Sequence, residues 1–586
     1  MLTLMDDAEI ARLEAAAAAA KAEAARAAAE AAQAALDAAR AARRATSPDA
    51  EPEAPTEPPA SEGLSDYARQ VKDAYAVDDA LQIGVLLEEG LPQADVPVTL
   101  SLPMLNRHGL IAGATGTGKT RTLQLLAEGL SASGVPVFLT DIKGDLTGLA
   151  EPGQDSEKLA ARCADQGQQW QPRAFPTAFY ALGGVGTGIP IRTTVTEFGP
   201  LLLARILDLN ATQEAALSLI FHWADREGLA LIDLGDLRSV VSFLTDQGKD
   251  LLKDIGGIAS ATAGVILREI AVLQSQGGDE FFGEPAFDPE HFFQTRDGTG
   301  VISILELPSL ADRPRLFSTF VMWLLAELFE ILPEAGDLDR PKLVFFFDEA
   351  HLLFNRASPA FLDAITQTVR LIRSKGVGII FVTQTPKDVP ADVLAQLGAK
   401  IQHALRAHTP NDQKALRDTV RTFPESPLDL EEILPGLGTG EALVTVIDTA
   451  GRPSPVAPTR LWAPAADMGP ADDATVQHIL STSPLAATYA ERVDPQSATE
   501  LLAARIESEE AAALQAEADA ALREEQEARA RAAEKEAERH RREAEQAARR
   551  QQTGRGRDSV VDALLKSGAR TLGREISRTI FGTRRR

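Results

Sequence analysis

Eight residues constrain this chain more than any others. Gly113-Ala114-Thr115-Gly116-Thr117-Gly118-Lys119-Thr120 stand between an uninterrupted apolar run, HGLIAGA (108–114), and a helical one, RTLQLLAEGL. Glycine, four residues, then Gly-Lys-Thr is a complete P-loop, and a strand before it with a helix after it separates the motif from a chance glycine-rich turn. The glycines let the backbone curl until successive N–H groups face one anion, at a helix N-terminus that already favours negative charge. Gly113 to Lys119, with Thr120 and the adjoining Arg121, are therefore expected to hold a nucleoside triphosphate. In that arrangement Lys119 reaches the β- and γ-phosphates and the Thr120 hydroxyl ligates Mg2+. A second glycine-rich run, Gly183-Gly184-Val185-Gly186-Thr187-Gly188, lacks the lysine and reads as a loop.

Leu343-Val344-Phe345-Phe346-Phe347-Asp348-Glu349 is an apolar strand ending in two carboxylates. Such a strand delivers them to the carboxyl edge of a sheet, where the P-loop also sits. Asp348 would hold Mg2+ through water, and Glu349 would act as general base on the attacking water. The strand VGIIFVTQ (377–384) ends in Gln384, a polar tip placed to touch the γ-phosphate or that water. Between the two strands, Arg370 and Arg373 share a helical face. Either suits an arginine finger offered to a neighbouring subunit's nucleotide, with Arg373 favoured; a solvated or salt-bridged arginine is the ordinary alternative.

Other P-loop classes fit less well. Thr385-Pro386-Lys387-Asp388 has the wrong spacing for a guanine-reading motif, which points to ATP. A Ser-Gly-Gly signature segment of ABC-type ATPases is missing, and so is the Gln-x-x-Gly-Arg motif of a second helicase lobe. One P-loop with one lobe favours a ring, in which another subunit completes the site.

Short apolar strands alternating with helices imply an α/β fold, a mainly parallel sheet covered on both faces. Residues about 195–290 interrupt the alternation with helical sequence and read as an insertion. The ends differ in composition. Residues 1–45 read as an alanine-rich helix, 46–65 as a proline-rich linker, and 66–465 as the globular domain. After a connecting segment, 466–494, comes a long Ala/Glu/Arg-rich helix, 495–552, read as a weak coiled coil or a single exposed helix. The last stretch, 553–586, turns basic, with apolar residues at helical spacing. Acidic residues outnumber basic ones, 85 against 59, for a net charge of −26. That excludes a uniformly basic nucleic-acid-coating protein, so any DNA contact must use local positive surface. The single cysteine excludes a disulfide framework and a cysteine-rich zinc site. The stretch 317–332 is too short for a membrane span and carries Glu327 and Glu330; the N-terminus lacks the basic start and apolar core of a signal peptide, and the expected location is cytoplasmic.

Taken in order, GLIAGATGTGKT, VPVFLTDIKGDLTGLA, LVFFFDEAHLLF, VRLIRSKGVGIIFVTQTPKDVP and AKIQHALRAHTPNDQKALR resemble the HerA-like (YjgR-type) bacterial P-loop ATPases of the HerA/FtsK superfamily. The resemblance covers about 66–465, and SVVDALLKSGARTLGREISRTIFG resembles the family's C-terminal end. It implies a RecA-like additional-strand ATPase core that assembles as a hexamer and moves double-stranded DNA. Lys119, Thr120, Asp348, Glu349 and Gln384 fall on the family's catalytic positions, and Arg373 on the trans-acting arginine. A competing expectation is a nucleotide-gated assembly or scaffold protein whose terminal helices bind protein partners. The basic tail suits subunit docking, a membrane surface or a core helix with solvated arginines.

Overall fold

The computed structural model describes residues 64–251, 256–307, 313–336, 338–354 and 359–552. The alanine-rich head, nearly all of the proline-rich linker and the basic tail lie outside them. By its contacts the chain divides into Met1–Ser65 and Asp66–Arg586, and the fold below is that of the second unit.

Among the described residues fourteen strands run in chain order: β1 (Ala80–Glu88), β2 (Leu91–Ser101), β3 (Gly109–Ala112), β4 (Val137–Asp141), β5 (Thr177–Leu182), β6 (Ile189–Ile191), β7 (Thr295–Arg296), β8 (Thr299–Gly300), β9 (Ile302–Glu306), β10 (Leu343–Phe347), β11 (Val377–Thr383), β12 (Ala399–His403), β13 (Glu441–Val446) and β14 (Ala457–Leu461). Twelve form one sheet in the order β2-β1-β14-β13-β12-β3-β11-β10-β4-β9-β5-β6; β7 and β8 pair separately. From β12 to β6 every pairing is parallel; from β12 back to β2 every pairing is antiparallel. The fold is therefore α/β with a mostly parallel sheet.

Parallel strands must be covered on both faces, which explains their uninterrupted apolar sequence. β3, β4, β10 and β11 are buried at every position. Phe138 of β4 lies 5.1 Å from Phe345 of β10 and 6.1 Å from Phe320 of the helix Pro314–Ile331, ring centre to ring centre. Between β6 and β9 stand the helices Pro200–Ile206, Ala211–Arg226, Leu234–Thr245 and Ser260–Ser275, which join the same core through buried Trp223, Leu237 and Ile270. Capping boxes at Asn210 and Asp233 satisfy the first backbone N–H groups of two of these helices.

The helix Ala498–Gln552 starts on this helical region. Ser497 and Thr499 donate to the buried Asp236 carboxylate at 2.6 and 2.9 Å, Leu502 is buried, and Arg505 reaches Glu227 at 3.3 Å. From Glu507 to Arg549 every residue is exposed. Leu514 and Leu522 point into solvent in the single chain, and pairs such as Arg529–Glu525 and Arg542–Glu538 run along the helix at i, i+4. Fifty-five residues at 1.5 Å each make a rod of about 80 Å.

Candidate nucleotide-binding site

The site lies at the carboxyl edge of the parallel strands, where α/β sheets place their ligand crevices. β3 ends in the loop Gly113–Gly118, and the helix Lys119–Ala132 follows. The loop is fixed from two sides. Gly113 N–H donates to Thr383 at the end of β11 (3.3 Å), and Ala114 N–H to Ala404 just past β12 (2.9 Å). Thr117 closes the turn with its hydroxyl on Ala114 O (2.7 Å), and Gly440 N–H donates to Thr117 O (3.0 Å). Gly116 and Gly118 have φ of 78° and 110°, which other residues rarely adopt. A side chain at Gly113 would put its Cβ 2.5 Å from that of His403. We expect Gly113→Ala to displace the loop and weaken nucleotide binding at least about tenfold, read by titration of a fluorescent ATP analogue, with the melting temperature as the folding control.

Lys119 is buried, and its ammonium donates to Gly113 O at 2.7 Å and Ala114 O at 3.2 Å, so the cation sits at the mouth of its own loop. Burial lowers its pKa, opposed by Glu349 and Asp348. Arg121 turns away to Gln124 (3.1 Å), within electrostatic reach of Asp145 and Asp467. Thr115 and Gly116 form the exposed tip.

β10 brings Asp348 and Glu349 to the same edge, separated from β3 only by β11. Asp348 N–H donates to the Thr140 hydroxyl of the neighbouring β4 at 3.0 Å, in register with the Phe347–Thr140 pairing. Asp348 is 3% exposed, and its Oδ2 has no hydrogen-bond partner among the described residues. Burial raises its pKa to about 6, with Lys143 pulling the other way. Glu349 has φ of 46°, unusual for a residue with a side chain, and strain of this kind clusters at functional sites. Burial would raise its pKa as well, but the Lys143 ammonium, with help from His351 and Lys119, leaves it lowered.

The Thr120 hydroxyl and a buried carboxylate oxygen that makes no hydrogen bond suit Mg2+, which takes few protein ligands and fills its octahedron with phosphate and water. Among the described residues no three His, Cys, Asp or Glu side chains form an all-protein cage. The residues fit the ion as a companion of a triphosphate.

Gln384 is exposed, one residue past the Thr383 carbonyl that holds Gly113. Arg373 stands elsewhere. It opens the short turn Arg373–Lys375 before β11, at the opposite edge of the sheet, close enough to His108 to help burial hold that imidazole near pKa 4. Arg370 is exposed on the preceding helix. The fold thus gathers Lys119, Thr120, Asp348, Glu349 and Gln384 at one edge and leaves both arginines away from the site of their own chain.

Two neighbours went unremarked as individual residues in the sequence. Lys143, in the loop after β4, reaches Glu349 Oε1 at 2.7 Å and stands 3.8 Å from Asp348 Oδ2. His403 of β12 backs the P-loop, with Nε2 2.8 Å from the Thr122 hydroxyl. Their signal in the sequence was a polar residue at or just past an apolar strand's end; which strands would be neighbours was not readable there.

Comparison with known proteins gives a family and several relatives. The family model described as "Helicase HerA-like C-terminal" matches residues 87–586. The DNA double-strand break repair helicase HerA of Saccharolobus solfataricus is 23% identical over 425 residues, 68% of this chain and 71% of that protein. Its counterpart in Sulfurisphaera tokodaii is 23% identical over 375 residues, 60% and 64% of the two chains. A Methanocaldococcus jannaschii protein named "Probable helicase MJECL08" is 36% identical over 115 residues, which span 19% of this chain and only 20% of that one. Among solved structures, the bacterial conjugative coupling protein TrwB aligns with 69% of this chain and 94% of its own, at 17% identity and a TM-score of 0.45.

Proposed function

The chain belongs to the helicase HerA-like C-terminal family, and from that premise we propose that it hydrolyses ATP with Mg2+ and couples the cycle to movement along double-stranded DNA as a ring of identical subunits. The observation that carries the reading is the meeting of Lys119 with Asp348 and Glu349 at one sheet edge, where a buried Asp348 oxygen has no hydrogen-bond partner among the described residues.

Each residue then has a task. The P-loop amides and Lys119 bind and neutralise the β- and γ-phosphates. Thr120 and Asp348 would hold Mg2+, which would supply further neutralisation of the triphosphate's charge. Glu349 takes a proton from the attacking water; its lowered pKa keeps the carboxylate ionised for that purpose. Gln384 orients the water or senses the γ-phosphate. Arg373, on the far edge, is suited to reach a neighbouring subunit's nucleotide, which favours a hexameric ring over a working monomer.

The DNA substrate rests on the HerA relatives' own described role and on the family. With a net charge of −26, contact with DNA must come from local basic surface. The test is ATP turnover with and without linear duplex DNA across a potassium chloride series. We expect DNA to stimulate turnover about threefold or more at low salt, with the stimulation falling steeply as salt rises. A rate indifferent to DNA at every salt concentration would remove the DNA substrate.

That outcome would favour a second reading, a nucleotide-gated assembly protein acting on protein partners, for which the long exposed helix Ala498–Gln552 is the supporting observation. Under either reading we place the protein in the cytoplasm. Its only cysteine is free, and among the described residues no helix is long and apolar enough to cross a membrane.

A further inference from the structure

We propose that Lys143 is a positioning residue for hydrolysis: its ammonium holds one oxygen of Glu349 beside Asp348, so that the second oxygen of Glu349 faces the attacking water. The assignment rests on the ATPase reading above and deepens it.

The loop after β4 is built to deliver this side chain. Asp141, the last residue of β4, is 1% exposed, and its carboxylate accepts three backbone N–H groups: Gly144 at 2.7 Å, Lys143 at 3.2 Å and Leu146 at 3.0 Å. Those bonds wind residues 142–146 into a tight turn, completed by Gly144 at φ 73°. The turn is anchored to the catalytic strand, because the Thr140 hydroxyl one residue earlier accepts Asp348 N–H at 3.0 Å. Lys143 is consequently presented to Asp348 and Glu349 by a turn held on the Asp141 carboxylate, after a strand paired directly with β10.

The geometry at the far end separates the two oxygens of Glu349. Oε1 is taken by Lys143 at 2.7 Å. Oε2 is buried without a hydrogen-bond partner among the described residues; His351 Nδ1 lies 3.2 Å away, outside hydrogen-bonding geometry. Lys143 therefore ties one oxygen, while the other makes no hydrogen bond and has His351 as its ion-pair neighbour. Two carboxylates on consecutive residues repel each other, and an ammonium placed 2.7 Å from one and 3.8 Å from the other offsets that repulsion and fixes the angle of Glu349. Lysine suits the task as a compact point charge with three donors on a long stem, able to serve both groups without a fixed plane.

The experiment compares the wild-type chain, Lys143→Met, Lys143→Arg and the double variant Lys143→Met/Glu349→Gln, by steady-state phosphate release, single-turnover rate and binding of a fluorescent ATP analogue. Misdirecting a reacting group costs on the order of 100-fold. We expect Lys143→Met to lose about 100-fold in kcat with KM for ATP changed less than about threefold, and Lys143→Arg to regain about tenfold of that loss. In the Glu349→Gln background, Lys143→Met should change the residual single-turnover rate less than about twofold, because nothing remains to be aimed. Melting temperature and analogue binding check the fold, and Lys143→Gln replaces the methionine variant should that one melt early. Wild-type turnover in Lys143→Met overturns the assignment. So does a raised KM with unchanged kcat, which makes Lys143 a phosphate-binding group, or a full additional loss in the Glu349→Gln background. A wild-type chain that cleaves no ATP would instead overturn the ATPase reading, and this assignment with it.

Discussion

We expect Glu349→Gln to bind ATP as tightly as the unmodified chain and to turn it over about 1,000-fold more slowly, within the range that a positioned general base contributes. The amide matches the carboxylate in size, and its oxygen still accepts the bond that Lys143 makes at 2.7 Å, so the edge of the sheet keeps its shape. What it lacks is a basic oxygen at Oε2. The phosphate contacts proposed for the P-loop would be untouched. Equilibrium binding of a fluorescent analogue, together with phosphate release under saturating ATP, separates the two effects. Turnover within tenfold of wild type would take the base away from position 349.

Lys119→Met should give the opposite pattern and lose binding itself. Charge-assisted hydrogen bonds contribute about 1.5–3 kcal/mol each, so removing the one cation aimed into the loop weakens ATP affinity about 100-fold or more when both phosphates lose their contact. Methionine preserves the length of the buried stem. It also leaves the Gly113 and Ala114 carbonyls without the donor they have at 2.7 and 3.2 Å, so a small fall in melting temperature accompanies the loss. Calorimetric titration with an ATP analogue and Mg2+ reads the affinity. Binding within threefold of wild type would show that the loop amides suffice and that the motif lysine is not an anchor here.

The parallel centre of the sheet was legible in the sequence because burial on both faces leaves no room for polar alternation. LVFFF and VGIIFVT could hardly be anything but covered strands once helices flanked them. The antiparallel side was not. β2, LPQADVPVTLS, is half exposed along its length and carries two prolines, so its pattern resembles a loop until β1 is seen beside it. The site divides in the same way. Lys119 and the Asp-Glu pair announce themselves by local spacing, whereas Lys143 is 205 and 206 residues away from the carboxylates it touches. Only the order β10-β4 makes them neighbours, and strand order follows from how the whole chain winds, not from any window of it. The far-edge location of Arg373 has the same origin: a residue just before a parallel strand must lie opposite a residue just after one.

The left-handed backbone at Glu349 has a practical consequence for anyone evolving this protein toward heat tolerance. Glycine adopts φ near 46° without the penalty a side chain incurs, of order 1 kcal/mol, so Glu349→Gly regains on the backbone part of what it loses with the Lys143 ion pair at 2.7 Å. A screen that rewards endurance alone has no stake in that carboxylate, so a turnover readout belongs beside every melt. Durability and work pull on this one torsion in opposite directions.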